Sequence, residues 1–414
     1  MSAASSTFVI VGGGLAGAKA AQTLREEGFD GRVVLVGAED ERPYERPPLS
    51  KEYLRGEAGR EKVYVHDEDF YDAQRIELRT GRAAESIDTS AGEVVIAGGE
   101  RLRYDRLLIA TGARPRRLEL PGADLDGIHE LRTVGESDAL RELLGDGVRL
   151  VVVGAGWIGS EVAASARQLG AEVDVIEPLS VPLQHVLGEE VGAVYRDVHV
   201  EHGVRMHLGR NVTRFEGDDR VRAVLTADGE RVECDLVLVG VGVAPRTEIA
   251  QRAGLEVEDG IVVDEYLQTS VPGVFAAGDV ASAHNPLLGG RIRVEHWANA
   301  LNQGPAAARN MLGAEAAYDR IPYFFSDQYD VGMEYSGHAS GRDEVIFRGD
   351  AQAREFIAFW LRGGRVRAGM NVNVWDVTDD IQALIRSRAP VDRDRLADPA
   401  IALTDLLPAQ AREG

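Results

Sequence analysis

The sequence predicts an α/β fold, with two domains built on one β-α-β plan and a C-terminal α+β domain behind them. Three observations predict it. A first segment, TFVIVGGGLAGAKAAQTLREEGFDGRVVLVGAE, opens on an apolar run and turns through Gly12, Gly14 and Gly17. It continues at helical spacing to a stop at Gly28 and resumes as an apolar run at Arg32–Val36. A second segment, VRLVVVGAGWIGSEVAASARQLGAEVDVIEP, repeats the plan 142 residues later, from Gly12 to Gly154, with Gly156 and Gly159 in place and Gly170 closing its helix. Third, YDRLLIATGARPR (residues 104–116) and CDLVLVGVGVAPR (residues 234–246) align without gaps, matching Gly112 with Gly242 and Arg116 with Arg246.

Each unit begins with a continuous apolar run, the pattern of a strand buried on both faces of a parallel sheet. The glycines follow from what comes next. The first permits a tight turn, the second lets backbone approach a pyrophosphate, and the third lets helix and strand pack closely. The helix N-terminus then meets the phosphate charge with free N–H groups and its dipole. Each unit ends in a carboxylate, Glu39 and Glu177, at the C-terminal end of its second strand, where an acceptor for ribose hydroxyls belongs. One glycine triplet alone is weak. Two, each between a strand and a helix, predict two Rossmann-like sites and two bound dinucleotides. GEVVIAGGERLRY alternates in the manner of hairpin strands, and GVFAAGDVASA is an apolar strand broken at Gly278 and Asp279. REFIAFWLRGGRVRAGMNVNVWDV reads as two strands joined across Gly363 and Gly364, with helical spacing from Asp379. Beyond Ala389 the chain turns polar and Pro-bearing, with no chemical motif.

Composition removes several classes. At 414 residues and 44% hydrophobic content, the chain can bury large cores. No apolar run of about 18 residues exists, and MSAASSTFVIVGGG lacks the basic and apolar regions of a secretion signal, so a cytoplasmic protein is expected. A net charge of -22 argues against nucleic acid or an anionic membrane as partner. The single cysteine, Cys234, permits no internal disulfide, multi-thiolate metal site or dithiol shuttle. It opens an apolar run and is read as a packed small side chain.

Among 46 basic residues, lysine stands only at positions 19, 51 and 62. Lys51 follows Arg46, Pro47, Pro48, Leu49 and Ser50, and lysine offers a compact point charge that arginine does not. A surface lysine at a helix start is the plain reading of that residue alone. Together VGGGLAG, RPPLSK, LLIATGARPR, VVVGAGWIGSE, AAGDVA, VEHWANALNQG and YFFSDQYD, in this order, resemble the glutathione-reductase-like flavoproteins with two dinucleotide-binding domains. Within them they resemble the ferredoxin reductases of oxygenase systems. The resemblance is close from Thr7 to about Asp330 and loose beyond. Dithiol reductases of this fold carry redox cysteines in or near the region where this chain has RPPLSK.

The resemblance implies FAD in the first site and a nicotinamide nucleotide in the second. It implies an FAD domain of residues 1–119 and 248–325, an NADH domain of residues 120–247, and the C-terminal domain from 326 to 414. The matching FAD positions are Gly12, Gly14, Ala16, Gly17, Glu39, Arg46, Lys51, Ala84, Thr111, Gly112, Arg132, Asp279 and Trp297. Those for the nicotinamide nucleotide are Gly154, Gly156, Ile158, Gly159, Glu177 and Gly242. Lys51, on a helix expected to start at Ser50, is implied to approach the flavin ring and to pair with Glu161, where an ammonium stabilises developing negative charge. Phe325 stands where relatives often have Trp.

Glu177 favours NADH over NADPH, since a carboxylate repels a 2′-phosphate and PLSVPLQH offers no arginine to receive one. Without a dithiol, the implied acceptor is a one-electron [2Fe–2S] ferredoxin serving a cytochrome P450 or a ring-hydroxylating dioxygenase. Two alternatives stay open: an NADH-binding regulatory flavoprotein of the apoptosis-inducing-factor type, and an NADH oxidase or quinone reductase. Ferredoxins are acidic as a class, so a docking patch of Arg55, Arg60, Lys62 and Arg309 is expected to offset the net charge.

Overall fold

Strand Thr7–Val11 lies at the centre of a five-stranded, all-parallel sheet. Its neighbours are Arg32–Val36 and then Ile76–Arg79 on one side, Arg106–Ile109 and then Val274–Ala276 on the other. The strands are short and apolar because both faces are covered: Val9, Ile10, Val33, Val34 and Leu35 are fully buried, each such side chain contributing about 1.5–3 kcal/mol. Helix Leu15–Glu26 follows the glycine turn, and Gly28, with φ +82°, takes the left-handed conformation that ends it. Helix Trp297–Met311 lies against it so closely that a Cβ on Gly304 would sit 2.3 Å from the Ala16 carbonyl oxygen. Only glycine permits that approach. The predicted hairpin forms as Glu93–Ile96 and Glu100–Arg103, with Ala84–Asp88 as the third strand.

The computed structural model describes residues 6–340 and 343–409; the first five residues of the N-terminal stretch read for a secretion signal, and the last five of the polar tail, lie outside them. The chain divides into two compact units. The first comprises the N-terminal segment to Glu45, Arg60–Arg114 and Ala244–Pro322. The second comprises Arg46–Gly59, Pro115–Val243 and the chain from Tyr323. The segment that carries Lys51 thus belongs to the second unit.

In the second unit the plan recurs. Strand Arg149–Val153 is central to a parallel sheet, between Glu172–Glu177 and then Arg205–Leu208 on one side, Leu236–Val239 and then Ile128–His129 on the other. Helix Trp157–Gln168 follows its glycine turn, and Gly170 has φ +91°. Cys234 lies two residues before strand Leu236–Val239 and is fully buried. Tyr323–Gln328, Val331–Gly337, Arg365–Val372, Glu355–Arg362 and Glu344–Asp350 form an antiparallel sheet in that order. Its buried face meets helix Gln184–Glu201 in one core containing Leu187, Val191, Tyr195, Phe324 and Trp360. The helix expected from Asp379 spans Thr378–Ser387.

The helix expected to start at Ser50 is absent. Pro47–Ser50 is a single 3-10 turn, and irregular turns follow. The cause is tertiary. The Leu49 and Ser50 carbonyls accept from Ser137 Oγ at 2.8 Å and Ser165 Oγ at 2.7 Å, so backbone acceptors that a helix would use are bound elsewhere.

Candidate functional site

Both glycine turns are built as cradles. A Cβ on Gly12 would lie 2.0 Å from the Ala110 carbonyl oxygen and one on Gly17 2.1 Å from that of Gly12, so neither position admits a side chain. The second unit matches this at Gly154, 2.6 Å from Gly240 O, and at Gly159, 2.1 Å from Gly154 O. By contrast, a Cβ on Gly14 or Gly156 would meet nothing within 4 Å. These two glycines are the N-caps of helices Leu15–Glu26 and Trp157–Gln168, and neither helix has a side-chain cap or an acidic residue in its first turn. A helix start normally draws such groups. Here the first-turn N–H groups are left to an outside anion, which fits the pyrophosphate of a dinucleotide.

Around the first cradle, Glu39 lies in the loop three residues past strand Arg32–Val36, and Tyr44 donates its hydroxyl to it. Gly278 brings Asp279 alongside, since a Cβ there would lie 3.2 Å from Ala16 Cβ. Gln303 accepts from Gly278 N–H at 2.9 Å. Trp297 opens its helix, again without a side-chain cap, and hydrogen-bonds Glu45, whose carboxyl burial pushes up. Thr111 donates to the Arg246 carbonyl at 2.8 Å, and Gly112 accepts from Arg246 N–H. Ala84 begins its strand after Gly81 and Arg82 bond back to Glu39 and Gly37. These residues all belong to the first unit.

In the second unit, Glu177 is the last residue of strand Glu172–Glu177. Its Oε2 accepts from Ala155 N–H at 2.7 Å, within the glycine turn, and its Oε1 from Leu179 N–H at 3.0 Å. A carboxylate has about four acceptor sites, so capacity remains for ribose hydroxyls. Ile158 is 40% exposed beside the cradle, and Gly242, at φ +94°, turns the chain after Leu236–Val239. The sequence reading missed Arg210. Its backbone N–H donates to the Glu177 carbonyl at 3.0 Å, so an arginine does reach this corner, from the end of the neighbouring strand. Its guanidinium is engaged by Asp228 and Glu230. Arg210 is 33 residues further along the chain, so only the sheet order could have revealed it.

The second unit also brings Lys51 to Glu161. Their Nζ and Oε2 atoms are 2.7 Å apart, with side chains 7% and 5% exposed. Ser50 Oγ donates to the same Oε2 at 2.5 Å, and Ser326 Oγ donates to Oε1 at 2.7 Å. Phe325 lies over Lys51, with Nζ 5.9 Å from its ring centre. Arg46 donates to the Arg132 carbonyl, and Arg132 N–H donates to Glu136 Oε2 at 2.7 Å. Ser50 and Ser326 were both inside the quoted motifs, yet nothing in the sequence set them 2.5–2.7 Å from Glu161.

Among the described residues no helix is long and apolar enough to cross a membrane, and no cluster of His, Cys, Asp and Glu could hold a metal ion. Residues 6–304 match the family described as pyridine nucleotide-disulphide oxidoreductase, and residues 323–407 match the family described as reductase C-terminal. The second match carries the likeness well past Asp330, where the motifs alone had left it loose. The ferredoxin–NAD(+) reductase component of the anthranilate 1,2-dioxygenase system of Burkholderia cepacia is 41% identical over 404 residues, 97% of this chain and 99% of that protein. Putidaredoxin reductase of Pseudomonas putida is 37% identical over 416 residues, 99% of each. The crystal structure of the ferredoxin reductase for the CYP199A2 system of Rhodopseudomonas palustris matches with a TM-score of 0.93 at 37% identity, covering 97% of this chain and 100% of that one. That of the covalent putidaredoxin reductase–putidaredoxin complex also gives 0.93 at 37%, covering 100% of both chains. The chain belongs to the pyridine nucleotide-disulphide oxidoreductase family, in its branch of FAD-dependent ferredoxin–NAD(+) reductases.

Proposed function

We propose that this chain takes electrons from NADH and delivers them singly to a [2Fe–2S] ferredoxin that feeds a cytochrome P450 or a ring-hydroxylating dioxygenase in the cytoplasm. One observation carries the reading: two dinucleotide cradles stand in a chain whose single cysteine is buried, its thiol pushed up to about 12 by burial and by Asp235. A dithiol outlet for a pair of electrons does not exist. When bound, FAD supplies the conversion between a two-electron donor and a one-electron acceptor.

The residues divide the work. Gly12, Gly14 and Gly17 admit the FAD pyrophosphate to the N-terminus of helix Leu15–Glu26, and Glu39 accepts from its ribose. Ala16, Ala84, Thr111, Gly112, Asp279 and Trp297 belong to the same FAD-binding set, as do Arg46 and Arg132. Gly154, Gly156 and Gly159 admit NADH, with Ile158 and Gly242 beside it and Glu177 on the free ribose. Lys51 holds a positive charge for the ring, and Glu161 fixes that ammonium in place. The proposed domains are residues 1–119 with 248–325 for FAD, 120–247 for NADH and 326–414 as the third. The division of the chain at Arg114, Val243 and Pro322 supports boundaries close to these for the FAD domain, apart from Arg46–Gly59, which falls in the second unit together with the other two proposed domains.

The test is anaerobic. The purified protein should be yellow, release one FAD per chain on denaturation, bleach with one equivalent of NADH and regain colour on adding oxidised ferredoxin. A folded protein that takes up no flavin overturns the reading. So does a reduced protein that oxygen reoxidises quickly and ferredoxin does not, the behaviour of an NADH oxidase.

A further inference from the structure

Glu161 is one end of a longer buried chain. Ser326 Oγ lies 2.7 Å from Glu161 Oε1, Gln328 Nε2 3.3 Å from Ser326 Oγ, and Gln328 Oε1 2.9 Å from His199 Nε2. The Tyr329 hydroxyl completes it, 3.4 Å from His199 Nδ1. Glu161, Ser326, Gln328 and His199 are 4%, 1%, 1% and 1% exposed, so no solvent competes for these bonds. Ser326 and Gln328 stand two apart on strand Tyr323–Gln328 and so share a face. His199 comes from helix Gln184–Glu201 and Glu161 from helix Trp157–Gln168.

One charge dictates every proton along this chain. A carboxylate has none to give, and Glu161 faces an ammonium at 2.7 Å. Ser326 therefore donates its single proton to Oε1. Its oxygen is left to accept, so Gln328 turns its NH2 group to Ser326 and its carbonyl oxygen to His199. An acceptor there requires the proton on Nε2, which leaves Nδ1 bare to accept from Tyr329. Burial holds the His199 ring down to about 4, so near neutrality it carries one proton, whose place the chain decides. Other groups bear on the two ends: Lys51, Asp327 and Tyr195 at Glu161, and His202, stacked on Tyr329 at 3.7 Å, at His199.

We propose that the charge on Glu161 sets the proton position on His199 through Ser326 and Gln328, and that Gln328 and His199 are positioning residues that hold the Glu161 carboxylate against Lys51. The alternative is a set of buried polar groups that satisfy one another and do nothing more. The kinetic half of the proposal rests on the role given to Lys51 above; the proton half does not.

Nitrogen-15 NMR of histidine-labelled holoenzyme tests the proton half on the unaltered protein. His199 should show a protonated Nε2 and a bare Nδ1 at neutral pH, and Glu161→Gln, which can donate as well as accept, should raise the Nδ1–H population. A protonated Nδ1 in the wild type, or the same spectrum in Glu161→Gln, overturns it. For the kinetic half, Gln328→Met keeps the volume and breaks the chain. It should slow flavin reduction by NADH about fivefold, the weight of one hydrogen bond, and should add nothing in a Lys51→Met background. An unchanged rate in Gln328→Met, or a full fivefold loss on top of Lys51→Met, shows that Gln328 does not act through the pair. If Lys51→Met alone leaves flavin reduction untouched, the role of the pair fails and takes the kinetic half with it, while the NMR result stands separately.

Discussion

At the scale of single residues, the buried Lys51–Glu161 pair does two things that mutation can separate. Breaking a buried pair by removing one partner leaves an uncompensated charge and costs about 3–5 kcal/mol, whereas removing both costs far less. Lys51→Met should therefore lower unfolding stability and also slow flavin reduction by NADH, about 10-fold for a lost interaction of about 1.4 kcal/mol. Lys51→Met with Glu161→Met should regain most of the stability and none of the rate. Denaturant unfolding and stopped-flow absorbance decide it; a double variant that recovers both would make the pair structural. Glu177→Arg reverses charge in a corner that already holds Arg210. It should weaken NADH and improve NADPH, and an unmoved ratio of kcat/KM would place Glu177 away from the ribose. The pairing of Lys51 with Glu161 was legible through RPPLSK and the other motifs together, since Lys19 and Lys62 show that a rare lysine alone is no sign. Ser50, Ser326 and Arg210 were not, because their roles depend on which strands become neighbours, and no local pattern records that.

Elements were legible where local chemistry and tertiary packing agree. The glycine turns and their flanking strands required no knowledge of the rest of the chain, since sterics alone fix them. The segment after Pro48 went the other way: hydroxyls from Ser137 and Ser165 took its backbone carbonyls, and the expected helix did not form. Edge strand Arg205–Leu208 is a further case. Such strands need restraint, and this one is pinned by Asp174 of the adjacent strand, which accepts from Arg205 Nη2 at 2.7 Å and His207 Nε2 at 2.8 Å. Burial pushes the Asp174 carboxyl up, but its bonds to His207 and Arg205 outweigh that and hold it below the usual range. A depressed folded-state pKa contributes stability that is complete above the unfolded value, about 3.9, and is lost as pH falls through the folded one. Asp174→Asn should thus cost about 1–3 kcal/mol at pH 7, and the deficit should shrink as pH drops below about 4. Urea unfolding at both pH values measures it, and a deficit independent of pH would assign the effect to packing.

For the whole molecule the open problem is charge. A chain at -22 has to meet an acidic ferredoxin, and three of the four basic residues expected to offset this are already engaged. Arg55 pairs with Glu57 at 2.7 Å, Arg60 with Glu41 at 2.6 Å and Arg309 with Glu27 at 2.7 Å. The sequence could list Arg309 but not its partner, because Glu27 is far from it along the chain. The pairing weakens their field without removing them from use. The Arg309 and Glu27 side chains are 49% and 42% exposed, and exposed pairs are worth only about 0–1 kcal/mol, so an incoming carboxylate can exchange for Glu27 at little cost. If Arg309 docks the acceptor, Glu27→Gln should speed ferredoxin reduction at low salt, because it frees the guanidinium, and Arg309→Glu should slow it. Both differences should fade toward 1 M salt, where the Debye length is about 3 Å against about 10 Å at 0.1 M. Flavin reduction at saturating NADH should hardly respond over the same series, since the proposed site holds that nucleotide by backbone N–H groups and Glu177 rather than by exposed arginines. Measuring the two half-reactions side by side separates docking from catalysis. Equal salt sensitivity of the two, or normal ferredoxin kinetics in Arg309→Glu, would remove Arg309 from the docking surface and leave the attraction to contacts that carry no net charge.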